Sequence, residues 1–396
     1  VPSDFIEDYI TYTEPLEVPT LFNTWCALSA LSAAAQRKIW IDMGLFKLAP
    51  NLYVVLDADP GVGKDTAMNV VRELLAQLPS IKTKSDSITK EKIYESLEGA
   101  FTKFDFPDSK LKTLGHCSLT VFATEMSLLI KRHDKDFVAA LNALYNCLSI
   151  FKHSTKTRGE NLILCPYLTI LGGTTPDWIS MNIQEDVIEG GLSARTIMVF
   201  SNDRSKINPW PKVSAAGVLA YPKMISRLEK ILSLGGCFEW QQETKVLYED
   251  WYCKHRAEHV KNPVMRGFHT RKPVHLMKVA MLISLSYKDE LILDPSDFLC
   301  AYKFLEQIEP SVERALRGAG RNVLNVYAEE MLDVIASSKE SRIDLVDLLQ
   351  LFRYKLSSMD FKEVLGSLKD MNLVRGETAG NRTYIKYVGN ERKLNP

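Results

Sequence analysis
The sequence predicts an α/β protein: a parallel sheet core, helical regions before and after it, and a winged-helix domain at the C-terminal end. Three observations carry this. Short unbroken apolar runs recur at Leu52–Leu56, Leu119–Ala123, Tyr167–Leu171 and Thr196–Phe200, as strands buried on both faces require. Helical patterns stand between them, as the crossovers of a parallel sheet do. From Arg317 the pattern changes to helix, short extended piece, helix, helix and hairpin.

Taken in order, residues 1–50 form an N-terminal helical region with Leu21, Trp25, Leu28 and Leu31 at helical spacing, then a short strand at Lys38–Asp42. The apolar run Leu21–Ala35 is interrupted by Asn23, Thr24, Ser29 and Ser32 and is too short to span a bilayer. Residues 51–206 are the α/β core. Pro209 and Pro211 lead into a mainly helical region, 207–316. Residues 317–396 divide into helices at Val323–Ala336, Leu345–Leu356 and Met359–Met371, an extended piece at Arg342–Asp344, and Leu373–Val388. The last segment holds two strand-like runs around Gly376, Ala379 and Gly380, a hairpin signal. Three helices and a hairpin make a winged helix.

Lys+Arg and Asp+Glu balance at 49 each, so net charge singles out no partner and any nucleic-acid surface must be local. Seven cysteines without a Cys-x-x-Cys pair suit a reducing cytoplasm. Neither a signal peptide nor a membrane helix is apparent. The chain begins at Val1, which leaves room for an upstream segment such as a primase or polymerase domain.

The stretch VVLDADPGVGKDT has the outline of a phosphate-binding loop: a strand, then Pro60, Gly61, Val62, Gly63, Lys64, then an amphipathic helix over Lys64–Leu78 with Ala67, Val71, Leu74 and Leu78 on one face. Consecutive N–H groups at Gly61–Lys64 cradle phosphate where side chains are small, and the helix aims its positive end at the anion. Two positions depart from the consensus. Ala58 stands for a glycine, and Asp65 for the hydroxyl residue after the lysine.

ATP in such a loop needs Mg2+, usually held by a loop hydroxyl and a carboxylate at the end of a neighbouring strand. SLTVFATEM ends in Thr124 and Glu125 where an Asp-Glu pair is usual. With Asp65, this suggests an exchange: carboxylate in the loop, hydroxyl on the strand. Two alternatives stay open. Thr66 supplies the hydroxyl, as in nucleotide kinases with Lys-x-Thr loops, or the site holds nucleotide without hydrolysing it. Glu125 is the candidate to polarise the attacking water. Thr174 and Thr175 end the LTILGGTTP strand, where a residue between the two catalytic strands orients that water. Arg195, in EGGLSARTIMVF, is placed to reach the γ-phosphate of a neighbouring subunit.

In their order and spacing these motifs resemble the AAA+ ATPases, and among them the superfamily 3 helicases and related replication proteins of phages and mobile elements. The resemblance runs from about Asp4 to Leu316. It implies a ring, commonly a hexamer, in which ATP hydrolysis drives movement along DNA, in a bacterial or phage-infected cytoplasm. It also implies a sensor role for Arg271, which with Lys272 opens a helix in the lid-like region. In IFKHSTKTRGENLIL it makes Lys152 and His153 the pair on a hairpin that grips the nucleic-acid backbone, with Lys156 and Arg158 beside them. A collar of such loops contacts phosphates irrespective of sequence.

In the winged helix, two lysines (Lys362, Lys369) face three acids (Asp360, Glu363, Asp370) on the candidate recognition helix. Over residues 373–393, Arg375, Arg382, Lys386, Arg392 and Lys393 outnumber Glu377 and Glu391. The wing rather than the helix is therefore expected to touch phosphates and help position the ring at an origin. Cys253, His255 and His259 in CKHRAEH come within reach of one metal, but no further Cys or His completes a zinc set, which favours a solvated helical face. Trp178, Trp210, Trp240 and Trp251 read as packing. The leading reading is an ATP-dependent DNA helicase. The alternatives are a nucleoside monophosphate kinase and an ATP-dependent DNA-binding initiator that does not unwind.

Overall fold
The computed structural model describes residues 4–388 except 86–88, 107–111, 131–133, 156–158, 177–190, 261, 263–264, 319–322 and 380–381. The chain divides into two compact units, Val1–Gly320 and Arg321–Pro396. Among the described residues, no helix is long and apolar enough to cross a membrane.

The first unit begins with α1 (Phe5–Thr13) and α2 (Thr20–Ala35), then β1 (Ile39–Asp42) and β2 (Lys47–Leu48). The loop strand β3 (Tyr53–Asp57) follows, with α3 (Lys64–Ala76), β4 (Thr83–Ser85), α4 (Lys90–Gly99), β5 (Phe101–Phe104) and β6 (Leu114–Ala123). Next come α5 (Met126–Leu129), α6 (Lys135–Tyr145), β7 (Ile150–Thr155), β8 (Gly159–Leu164), β9 (Pro166–Thr174), α7 (Leu192–Arg195) and β10 (Thr196–Phe200). The helical region supplies α8 (Ala215–Ser233), β11 (Gly236–Trp240), α9 (Gln242–Ala257), α10 (Arg266–Tyr287), β12 (Ile292–Leu293) and α11 (Pro295–Gly318).

The central sheet runs β10-β3-β9-β6-β4 with every neighbouring pair parallel, and β5 adds antiparallel to β6. Its inner strands are buried along their length, which is why they read as continuous apolar runs. On one face lies α2, where Ser32 Oγ meets Thr169 Oγ1 at 2.8 Å and Tyr167 donates to Ser32 O at 2.7 Å. Strand alternation sends Tyr53 to the other face, where it donates to Leu141 O of α6 at 2.9 Å. The apolar run at Leu21–Ala35 is thus a helix buried on all sides, with Asn23, Thr24, Ser29 and Ser32 enclosed among its apolar residues.

A second sheet, β12-β11-β1-β2, joins segments far apart in the chain, since Ile39 pairs with Gly236. Lys38 is buried beneath it and its Nζ donates to the carbonyls of Ile231, Leu232 and Leu234 at 2.8, 2.9 and 2.6 Å, closing the C-terminal end of α8. Strands β7 and β8 form an antiparallel hairpin of their own.

Two sequence expectations fail in this unit. The face carrying Cys253, His255 and His259 is not uniformly solvated: Cys253 and His259 are exposed, but His255 is 3% exposed. Its ring lies between Trp251 and His269, at centroid distances of 4.8 and 3.7 Å. Trp210 does not pack either, being 76% exposed. It lies in the proline-marked connection, which forms neither helix nor strand. Trp178 lies outside the described residues.

The second unit contains α12 (Val323–Ser337), β13 (Arg342–Asp344), α13 (Leu345–Phe352), α14 (Ser358–Asp370), β14 (Val374–Ala379) and β15 (Arg382–Tyr387). Its sheet is antiparallel, in the order β13-β15-β14. Met331, Ile335, Leu348, Phe352, Phe361, Leu365 and Ile385 form its own core. Asp344 and Ser357 cap α13 and α14 through side-chain oxygens, which fixes where those helices start.

Candidate nucleotide site
At the C-terminal edge of the central sheet a cavity of about 530 Å³ opens between the ends of β3, β9 and β6. Crevices beyond the carboxyl ends of parallel strands are where such sheets bind ligands. Pro60, Gly61, Gly63, Lys64, Asp65 and Thr66 line one side, and Thr124, Glu125 and Thr174 the other. Met126, Ser127 and Thr175 complete the wall. Every residue expected to hold phosphate or metal in one chain reaches this cavity, apart from Val62 and Arg271. Val62 is buried, which leaves only its backbone to face a ligand.

The loop conformation explains its sequence. Gly61 and Gly63 sit at φ +83° and +87°, the left-handed region that L side chains rarely adopt. Gly63 also caps α3, and a Cβ there would stand 3.1 Å from Val18 Cγ2. Ala58 is fully buried and lies outside the positive-φ region, so a methyl group costs nothing at the position where a glycine was expected. On the opposite wall, a Cβ on Gly173 would stand 2.7 Å from Thr124 O, and one on Gly172 2.5 Å from Met126 Sδ. The two glycines of LGGTTP let the turn bearing Thr124 and Glu125 close over β9.

The Lys64 ammonium donates to the carbonyls of Ala58 (2.5 Å) and Asp59 (3.1 Å). Burial lowers its pKa, opposed by the neighbouring carboxylates of Asp57, Asp65, Asp59 and Glu125. Glu125 is exposed and accepts from Ser127 Oγ at 3.1 Å. Thr174 is buried on β9, which lies between β3 and β6, the position expected of a residue set between the two catalytic strands.

Three residues around the loop escaped the sequence reading. Asp57 ends β3 with 1% exposure, and one carboxylate oxygen has no hydrogen-bond partner among the described residues. Burial raises its pKa to about 7, against the pull of Arg314 and Lys64. Asn202 and Arg204, just after β10, strap the loop from outside. Asn202 exchanges hydrogen bonds with Asp59 at 2.9 and 2.8 Å, and Arg204 donates to Pro60 O at 2.9 Å. Asp57 is carried there by the strand that leads into the loop; strand register brings Asn202 and Arg204 to it.

Arg195 lies elsewhere. Thr196 pairs with Tyr53 and Phe200 with Asp57, so Arg195 precedes the start of β10 while the loop follows the end of β3. The two are separated by the length of a five-residue strand, roughly 16 Å. Arg195 Nη1 donates to Gly191 O at 2.9 Å, and its buried Nε has no partner among the described residues. His275 Nε2 donates to Ala194 O at 2.9 Å and so steadies this turn, while its Nδ1 accepts from Tyr145 Oη at 3.3 Å. Burial holds the His275 pKa near 4, so the ring stays neutral. Arg271 belongs to this edge rather than to the cavity: after burial, its charge is the largest influence lowering the Arg195 pKa.

Of the expected nucleic-acid contacts, Lys152 and His153 stand on β7, paired with Leu162 and Asn161 of β8, and Lys152 is exposed. Lys156 and Arg158 lie outside the described residues, as do Arg392 and Lys393. In the second unit Arg375, Arg382 and Lys386 are exposed. Lys386 pairs in register with Arg342 on one side and Arg375 on the other, so three cations form a row across the sheet. Arg342, unnoticed in the sequence, lies over the Tyr384 ring at 5.3 Å. Ion pairs of Lys386 with Glu377 (3.6 Å) and Arg342 with Glu340 (2.6 Å) are exposed and weak, leaving the row open to a stronger anion. No family model matches the chain, and no curated protein does.

Proposed function
We propose that the protein is an ATPase of the ring-forming helicase type, which binds ATP with Mg2+ in the Lys64 cavity and uses hydrolysis to move on DNA. The observation that carries this reading is the convergence of Gly61, Gly63, Lys64, Asp65, Thr66, Thr124, Glu125 and Thr174 on one cavity at the carboxyl ends of three parallel strands. Main-chain N–H groups of the loop bind the phosphate tail, and Lys64 leaves the carbonyls of Ala58 and Asp59 for the β and γ phosphates. Asp65 or Thr66, with Thr124, organises Mg2+. Glu125 activates water and Thr174 orients it.

Arg195 is too far from its own chain's loop to touch that phosphate, which supports action across a subunit interface. Arg271 stands with it. On a two-sided nucleotide of this kind, hydrolysis depends on assembly. The basic residues of the β7–β8 hairpin would contact the strand, and the winged-helix arrangement of the second unit would dock phosphates on its sheet through Arg375, Arg382 and Lys386.

ATPase activity with and without single-stranded DNA tests this, with particle size recorded for wild type, Lys64→Ala and Arg195→Ala. The reading expects DNA-stimulated hydrolysis in a ring-sized particle, lost in both variants. Phosphate transfer to a nucleoside monophosphate without DNA stimulation would select the kinase reading, which Thr66 in the cavity wall favours. ATP-dependent assembly on DNA without strand displacement would select a non-unwinding initiator.

A further inference from the structure
The second cluster of metal-ligating side chains lies in the helical region, away from the cavity: the ligand atoms of His255, Glu258 and His269 all fall within 4.8 Å of one another. His255 occupies the last turn of α9, Glu258 follows it, and His269 occupies the first turns of α10. Hydrogen bonding fixes the chemistry. His255 Nε2 lies 2.8 Å from the His269 carbonyl, which can only accept, so Nε2 carries the proton and Nδ1 presents a lone pair. That lone pair faces Glu258 Oε2 at 3.9 Å, beyond hydrogen-bond reach. His269 Nε2 meets the same oxygen at 3.5 Å. A buried imidazole oriented by a backbone carbonyl, with its other nitrogen turned toward a carboxylate that also reaches a second imidazole, matches the way metal-bound histidines are held.

We propose that His255 Nδ1, Glu258 and His269 Nε2 hold one Zn2+ ion, with water in the fourth position. Two imidazoles and one carboxylate favour zinc over the oxygen-seeking Mg2+ of the nucleotide cavity. Tetrahedral zinc with bonds near 2.0–2.1 Å places neighbouring ligands about 3.3 Å apart. Closing the present spacing takes a rotation of Glu258 and a turn of the His269 ring off its 3.7 Å stack on His255; their side chains, 67% and 21% exposed, have room for this and leave an entry path. The ion would tie the end of α9 to the start of α10. Cys253 and His259 take no part.

The full chain, stripped of metal by chelator and free of nucleotide, is titrated with Zn2+ alone by calorimetry and with Co2+ alone by visible absorption. The expected result is one Zn2+ per chain and the absorption band of four-coordinate Co2+. Glu258→Gln and His269→Gln, at exposed or half-buried positions that leave the His255 stack to Trp251 in place, should each weaken Zn2+ binding about ten-fold or more. Cys253→Ser and His259→Gln should change nothing. Absence of Zn2+ binding at millimolar metal would overturn the proposal. So would binding indifferent to Glu258→Gln and His269→Gln, or binding lost in Cys253→Ser.

Discussion

Three single-methyl changes in the loop before Lys64 decide whether it is a working site or a damaged one. Gly61 and Gly63 both need positive φ, whereas Ala58 does not. Gly61→Ala meets no atom within 4 Å, so its cost is conformational, about 1–2 kcal/mol for an alanine in the left-handed region. Gly63→Ala carries the same strain and also brings a methyl to 3.1 Å from Val18 Cγ2 and 3.4 Å from Glu17 O, raising the loss to about 2–3 kcal/mol. Ala58→Gly removes one fully buried methyl and costs about 1 kcal/mol. Denaturant titration reads these stabilities and calorimetry with ATP and Mg2+ reads the binding. Gly63→Ala should weaken ATP about ten-fold or more, equivalent to about 1.4 kcal/mol, while Ala58→Gly stays within about two-fold. If Ala58→Gly tightened ATP binding ten-fold, the alanine would be a lesion and the conformational reasoning wrong.

Further expectations concern charge and assembly. Burial raises the folded-state pKa of Asp57 from 3.8 to about 7, so folding takes up a proton between those values. Stability should therefore fall as pH rises from about 4 to about 7. Asp57→Asn should flatten that part of the denaturation midpoint against pH; an unchanged slope would remove Asp57 as its source. Lys38→Met orphans three carbonyls at the end of α8 and should destabilise the first unit by about 2–3 kcal/mol in chemical denaturation. Retention of wild-type stability would show that those carbonyls find other partners. Mixing Lys64→Ala with Arg195→Ala subunits should restore part of the ATPase activity that each lacks, because some interfaces regain an intact cavity facing an intact arginine. Failure to complement in mixed particles of confirmed size would place Arg195 outside the reaction.

Much of the architecture was legible because burial on both faces leaves an uninterrupted apolar signature, as in β3, β9 and β10. The short strands β4 and β5 were not, since Thr83–Ser85 and Phe101–Phe104 are partly or fully exposed and lack that signature. Strand β11 was hidden inside a helical stretch because its partner, β1, lies far upstream. The same division holds for the site. Lys64, Asp65, Thr66, Glu125 and Thr174 were visible through local spacing around strand ends. Asn202 and Arg204 were not, because register rather than sequence proximity brings them to the loop; Asp57 adjoins the loop in sequence, but its burial shows only in the packed sheet. Arg271 and Lys272 do not open their helix, because α10 starts five residues earlier at Arg266, and the fold sets Arg271 near Arg195. The histidine cluster was half visible: His255 was singled out, but its partner His269 stands on the next helix.

Calorimetric titration of ATP with Mg2+ into wild type and Lys64→Ala tests the central claim most directly. Saturable binding at one site per chain, weakened about a hundred-fold or more once the ammonium is gone, is the result that the cavity geometry requires. A well-folded wild type that takes up no ATP at millimolar concentration, or a Lys64→Ala variant that binds it equally well, would contradict the account.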